Sequence, residues 1–245
     1  MQTLYKRGRM GRDKKMRPKI LVGCPTSHHK DYCLTEYMAG LKKLTYPNKK
    51  ILIVENSKND EYFNLIKTFD ISVVKGPWFE GAVDRIIASR NILRKEVLEG
   101  DYEYFLSLEQ DVIPPADLIE RMLQHGKKLI TGVYFANNRF EDGTIKLIPL
   151  VYKLKDPESL TMYPLEEEEL WNDPGLYPVV SAGLGCLLIH RDILKEIEFR
   201  SENKHFDDRF FFVDCHAKKI EAFCDTTIKC KHLIDRPIPW SQIKK

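Results

Sequence analysis

Four absences narrow this 245-residue sequence before any motif is read. No apolar stretch opens the chain, which speaks against a secretory signal. The longest apolar run, Val179 to Ile189, is too short for a bilayer and is broken by Ser181, Gly183 and Gly185. The expectation is a cytoplasmic protein, soluble or peripheral to a membrane. None of the six cysteines (Cys24, Cys33, Cys186, Cys215, Cys224, Cys230) forms a Cys-x-x-Cys pair, which speaks against a zinc ribbon. Their spacing is too sparse for a disulfide framework, so buried free thiols are expected, with a Cys224–Cys230 bridge left open. There is no internal repeat, which argues against a solenoid or propeller.

What remains is ordinary globular composition: 43% hydrophobic, 31% charged and 11% aromatic. That is enough apolar material for one large α/β core and too much for a disordered chain. Charge is uneven. Residues 1–19 carry eight basic side chains against the single acid Asp13, a net +7, so the rest of a chain of net charge +3 sums to −4. The tail, 1–18, reads as a disordered basic extension able to touch an anionic membrane surface. Nothing points to nucleic acid as the main substrate. Residues 19–235 read as a single domain, with a nucleotide-binding half over 19–115 and an acceptor half over 116–235. Residues 236–245 form a C-terminal tail.

Short apolar runs alternate with helical periodicity through the first half. Lys19–Cys24 and Lys50–Glu55 predict buried strands, and Ile71–Lys75 and Tyr102–Leu108 two more strands; 31–44, 62–69 and 81–98 predict helices. Such alternation predicts a Rossmann-like, mostly parallel sheet with helices on both faces. The second half predicts helices over 117–125, 191–198 and 210–219. It predicts strands over 129–135, 147–154, 179–190 and 223–228. Residues 155–178, rich in charge and proline, read as a mobile surface loop whose Glu166–Glu169 run is a solvated face.

In an open parallel sheet, ligands gather beyond the carboxyl ends of the strands. Three polar groups fall there: Pro25-Thr26, Glu55-Asn56, and Glu109-Gln110-Asp111. Two carboxylates two residues apart suit a hard divalent ion that keeps several waters and bridges to diphosphate oxygens.

Four segments together resemble the GT-A type glycosyltransferases, in particular the family-2-like branch. They are Ile51–Asp60, the helix bearing Gly81 and Ser89-Arg90-Asn91, Tyr104–Pro114, and Ser181–Asp192. The resemblance spans roughly residues 19–232. It implies a GT-A fold with a smaller mixed acceptor-side region near the C-terminus. It also implies transfer of a sugar from a UDP- or GDP-linked donor to a hydroxyl of a glycan, protein or lipid, dependent on Mn²⁺ or Mg²⁺.

Carried across by position, the resemblance gives each residue a role. Pro25 and Thr26 flank the base, and Glu55 and Asn56 meet base or ribose. Arg85 and Arg90 reach phosphate, at most one of them squarely. Glu109 and Gln110 lie on the donor, Asp111, Glu109 and His232 hold the metal, and Gly183 and Gly185 let backbone approach the donor sugar. Asp214 is the general base of an inverting reaction, with Asp207 or Asp208 next in line. Trp78, Phe79 and Trp171 are candidates for stacking on sugar rings. Glu109 stands where the family usually has Asp. Two other readings are a sugar-phosphate nucleotidylyltransferase and a non-catalytic binding module on the same fold. The first is disfavoured because Cys24–Lys30 holds no glycine-rich phosphate loop; the second is disfavoured by the presence of Asp111, Asp214 and His232.

Overall fold

The computed structural model describes residues 17–139, 142–156, 161–202 and 206–234. Continuous apolar runs, the mark of strands covered on both faces, give the central opening strands; the third in chain order, at the sheet edge, is largely exposed. The four are β1 (Ile20–Thr26), β2 (Lys49–Glu55), β3 (Ser72–Lys75) and β4 (Tyr104–Leu108), all parallel in the order β3-β2-β1-β4. The connections carry α1 (Leu34–Lys43, entered through a 3₁₀ turn over His28–Cys33), α2 (Glu61–Lys67) and α3 (Ala82–Glu99).

Beyond β4 come β5 (Val112–Ile113), α4 (Leu118–Gln124), β6 (Leu129–Val133), β7 (Phe135–Arg139), β8 (Ile145–Pro149), β9 (Val151–Leu154) and β10 (Met162–Pro164). After a π-helical turn at Glu168–Asn172 follow β11 (Leu176–Val179), β12 (Ser181–Ala182), β13 (Cys186–His190), α5 (Arg191–Glu196), α6 (Asp207–Ala217), β14 (Ala222–Lys229) and β15 (Lys231–His232). The main sheet has eight strands in the order β11-β14-β6-β13-β4-β1-β2-β3. Strand β13 runs antiparallel to both neighbours, and β11 antiparallel to β14; the other six share one direction. Smaller antiparallel sheets join β10-β9-β12, β7-β8 and β15-β5. The architecture is the mostly parallel α/β sheet that the sequence predicts, with a mixed region added in its second half.

Side-chain alternation splits the core across the sheet. Ile20, Val22 and Cys24 face one layer with α1, α2 and α4; Leu21 faces the other with α3, α5 and α6. All six cysteines are buried and free, and the nearest sulfur to Cys230 is that of Cys186 at 3.4 Å, not Cys224.

Three expectations are corrected. Residues 161–178 are not a loop: they contain two strands and a helical turn, and Leu165 and Leu170 enter the core. Within the acidic run, Glu169 is buried and ion-paired with Lys153. The strand expected over 179–190 is two strands separated by Gly183-Leu184-Gly185. The one expected over 147–154 divides at Leu150 into β8 and β9. The tail expected over 1–18 lies outside the described residues except at its end, where the Arg17 and Pro18 carbonyls accept bonds from Asn48 and Tyr46 at 2.7 Å. The C-terminal tail 236–245 lies outside them entirely. Among the described residues no helix is long and apolar enough to cross a membrane.

Candidate active site

A cavity of about 440 Å³ opens at the carboxyl ends of β1, β2 and β4. Of the sequence-predicted residues it is lined by Pro25, Thr26, Asn56, Arg85, Arg90, Glu109, Gln110 and Asp111. The second half of the chain contributes Tyr134, Leu150, Leu184, Phe206, Asp207 and Asp208. Topology explains the meeting. Because β13 enters antiparallel beside β4, Cys186 pairs with Leu108, and Glu109 donates its backbone N–H to the Gly185 carbonyl at 3.1 Å. Because β15 pairs with β5, His232 lies opposite Val112, next to Asp111.

Asp111 is buried, and one of its oxygens, Oδ2, gathers the Lys30 ammonium in direct contact and the His232 imidazole, with Nε2 at 3.3 Å. Burial alone would raise the Asp111 carboxyl. The hydrogen bond from His232 and the charge of Lys30 outweigh it, holding the group well below the usual carboxylate range. Burial would likewise lower the His232 imidazole, but Asp111 and the Phe135 carbonyl, 2.6 Å from Nδ1, raise it. The other oxygen, Asp111 Oδ1, is buried and has no hydrogen-bond partner among the described residues. A buried carboxylate oxygen left unpaired is costly, and a divalent ion would satisfy it. Asp111, with His232 beside its other oxygen, is the residue here that would hold such an ion, since a hard divalent ion needs only one or two protein carboxylates. The expected third ligand, Glu109, turns to Arg90 instead. Among the described residues no group of three or more His, Cys, Asp or Glu side chains is arranged for a metal.

Several expected donor contacts are engaged elsewhere. The Glu55 carboxylate is fully buried, accepting from Ser57 N–H at 2.6 Å and Lys75 Nζ at 2.7 Å, and does not line the cavity. Asn56 donates to Ser89 Oγ at 3.0 Å. Gln110 joins three segments: its carbonyl accepts from Thr26 Oγ1, and its amide donates to the Lys30 carbonyl at 2.8 Å and Tyr62 Oη at 2.6 Å.

Arg85 donates to the Phe79 and Glu80 carbonyls at 2.5 and 2.9 Å, and its guanidinium lies 4.4 Å over the Trp78 ring. Trp78 and Phe79 are exposed beside it. Trp171 does not line the cavity and is stacked on Phe135.

Arg90 is buried among acids and hydroxyls rather than aimed at open space. It donates to Ser107 Oγ at 2.8 Å and Glu109 Oε1 at 2.5 Å, and its Nε lies 2.6 Å from Asp207 Oδ2. The guanidinium fork thus clamps β4 to the first turn of α6. Gly183 and Gly185 make room for protein, not ligand. A Cβ on either would collide with the buried Tyr134 ring, whose hydroxyl accepts the Gly185 N–H at 2.9 Å.

Asp214 does not line the cavity; both its oxygens accept from Arg200, at 2.7 and 2.8 Å. One turn and more before it, Asp208 does line the cavity. Burial lifts the Asp208 carboxyl above the usual range, against a 2.7 Å bond from the Arg209 N–H, and the neighbouring Asp207 charge adds to the rise. Lys30 and Tyr134 are site residues that the sequence pattern did not indicate. Lys30 lies 81 residues from its partner Asp111, and no local spacing signals the pair.

No protein-family model matches the sequence, and no curated protein sequence matches it significantly. Solved structures do match in fold. The structure of S. aureus TarS 1-349 is similar with a TM-score of 0.53 at 14% identity, covering 86% of this chain and 57% of that one. A longer S. aureus TarS structure is similar at 0.53 and 14%, covering 89% of this chain and 36% of that one. The structure of A197 from STIV aligns at 19% identity with a TM-score of 0.46, covering 89% and 86%. This chain spans little more than half of the shorter TarS structure, and at these identities the likeness is one of fold.

Proposed function

We propose that this cleft transfers a glycosyl group from a nucleoside-diphosphate sugar, UDP- or GDP-linked, to an acceptor hydroxyl. The observation that carries the reading is the pairing of unlike carboxylates around one cavity. Asp111 is held ionised by the His232 hydrogen bond and the Lys30 charge, and burial lifts Asp208 above the usual carboxylate range. Carboxyl groups whose surroundings push them apart divide the work of a reaction between them. The likeness to TarS, a glycosyltransferase, supports the same reading at the level of fold.

Thr26, Ser27 and Asn56 line the side where a nucleoside would lie, and Asp111 with His232 would hold a Mn²⁺ or Mg²⁺ ion against the diphosphate. Such an ion, when bound, offsets the negative charge that develops on the departing diphosphate. Asp208 accepts the proton of the acceptor hydroxyl as its oxygen attacks the anomeric carbon, while the bond to the diphosphate oxygen breaks and that oxygen keeps the electron pair. Arg90 fixes Asp207 and Glu109 and so sets the position of the α6 start, without touching substrate. Leu150, Leu184, Ile86 and Phe206 supply the apolar wall that limits water around the reacting carbon.

The test is release of nucleoside diphosphate from UDP- and GDP-sugars, measured with and without EDTA, in wild type, Asp208→Asn and Asp214→Asn. Loss of a general base costs about 10²–10⁴ in rate, so Asp208→Asn should fall by that amount while Asp214→Asn stays within a few-fold. Turnover surviving in Asp208→Asn and lost in Asp214→Asn would return the base to Asp214. No release from any nucleotide sugar would remove the reading.

A further inference from the structure

Lys30 takes no part in the reaction just described, yet its ammonium touches the one carboxylate proposed to hold a metal. Its backbone is fixed: Lys30 N–H donates to the Ser27 carbonyl at 2.9 Å, and its own carbonyl accepts from Gln110 Nε2 at 2.8 Å and Cys33 Sγ at 3.1 Å. Its side chain is a different matter, 40% exposed and lining the cavity. A four-carbon stem on a fixed base lets the charge move while the turn stays still.

We propose that Lys30 is the diphosphate-binding cation of this cleft, resting on Asp111 in the free protein and competing there with a divalent ion. The proposal rests on the nucleotide-sugar reading above and adds a residue to it. A carboxylate already neutralised by an ammonium attracts a second cation less, and a divalent ion on Asp111 would repel the ammonium a few ångströms away. The Oδ1 atom, without a hydrogen-bond partner among the described residues, offers the ion an approach other than the oxygen Lys30 holds. An ammonium driven from Asp111 keeps three donors and no acceptor. Within reach of its stem in this cavity, the partner chemistry that satisfies those donors is an anionic oxygen of the diphosphate. Metal and diphosphate then help each other in, because each removes what the other must displace, and the help is equal in both directions.

The competition gives the two ligands opposite responses to one substitution. Calorimetric titration uses Mn²⁺ alone in one arm and inorganic pyrophosphate in EDTA in the other, on wild type and Lys30→Met. Removing the ammonium should tighten Mn²⁺ about tenfold and weaken pyrophosphate about tenfold, each equivalent to about 1.4 kcal/mol. Lys30→Gln keeps a polar end and should give the same two signs; it decides the matter if the methionine variant melts early. A residue that only braces the turn would weaken both ligands or neither. Mn²⁺ binding that is unchanged or weaker in the variants, or pyrophosphate binding that is unchanged, overturns the proposal and leaves the metal site standing. Failure of Mn²⁺ to bind any of the three proteins removes the Asp111–His232 site and the competition with it.

Discussion

Asp207 and Asp208 are neighbours in sequence with opposite surroundings. Asp207 lies against Arg90 in the interior, whereas Asp208 lines the cavity with no ion pair among the described residues and is lifted by burial and by the Asp207 charge against the pull of Arg90. That difference makes a stability prediction separate from any rate. A carboxyl whose folded-state pKa lies above its unfolded value binds protons more readily in the native state. Its favourable contribution is complete below the usual carboxylate range and is lost as pH rises through the folded value. At neutral pH the ionised Asp208 therefore costs the native state free energy, and Asp208→Asn should melt at a higher temperature than wild type. The gain should shrink as pH falls through the carboxylate range and vanish below it. Melting curves at several pH values check this; equal melting temperatures at neutral pH would mean that burial does not perturb Asp208. A group that weakens the fold while poised to accept a proton is what a functional site, rather than a packing site, leaves behind.

At the scale of elements, β1 and β4 were legible as buried apolar runs, β2 as a run buried towards its end, and the largely exposed β3 by its β-branched pair Val73-Val74, while periodicity marked the helices between them. What the sequence did not reveal depends on partners far along the chain. The Glu169–Lys153 ion pair turns part of an acidic run inward, and the antiparallel entry of β13 decides which residues meet Glu109. The glycines between β12 and β13 illustrate the limit. Two glycines in an apolar strand are equally compatible with a ligand's approach and with a neighbouring side chain, and here the neighbour is Tyr134. Gly183→Ala would press a methyl group into the Tyr134 hydroxyl inside a close-packed layer. Overpacking of this kind costs about 1–3 kcal/mol, readable as a lower urea midpoint. With Tyr134→Phe the nearest atom becomes Cζ at 3.0 Å, so the alanine should cost less in that background than in wild type. Identical costs in both backgrounds would show that Tyr134 is not what the glycine accommodates.

At the scale of the molecule, the cleft is shared between the two halves of the chain. The ends of β1 and β4 supply Thr26 and Asp111; the later elements supply Tyr134, Leu184 and Asp208, while β15 sets His232 against Asp111 without lining the cavity. The early side was visible in the sequence as polar residues following buried strands. The later side was visible only in part, since nothing local distinguishes Asp208 from Asp214 as the acid that faces the cavity. A ligand that touches both halves binds the native state and not the unfolded chain, so it must raise the melting temperature by mass action. At a free ligand concentration a hundred times the dissociation constant the gain is about 2.7 kcal/mol. For a chain of this length each kcal/mol moves the midpoint by about 2–4 °C, which predicts a rise of roughly 5–10 °C. If Asp111 holds the proposed ion, the rise at a fixed concentration of UDP or GDP should be larger with Mn²⁺ than in EDTA, because the ion would offset the charge of both the carboxylate and the diphosphate. It should also be nearly lost in Asp111→Asn, whose neutral amide holds neither the ion nor Lys30 as strongly. Equal rises with Mn²⁺ and with EDTA would take the metal out of this cleft, leaving Lys30 as its cation for the diphosphate.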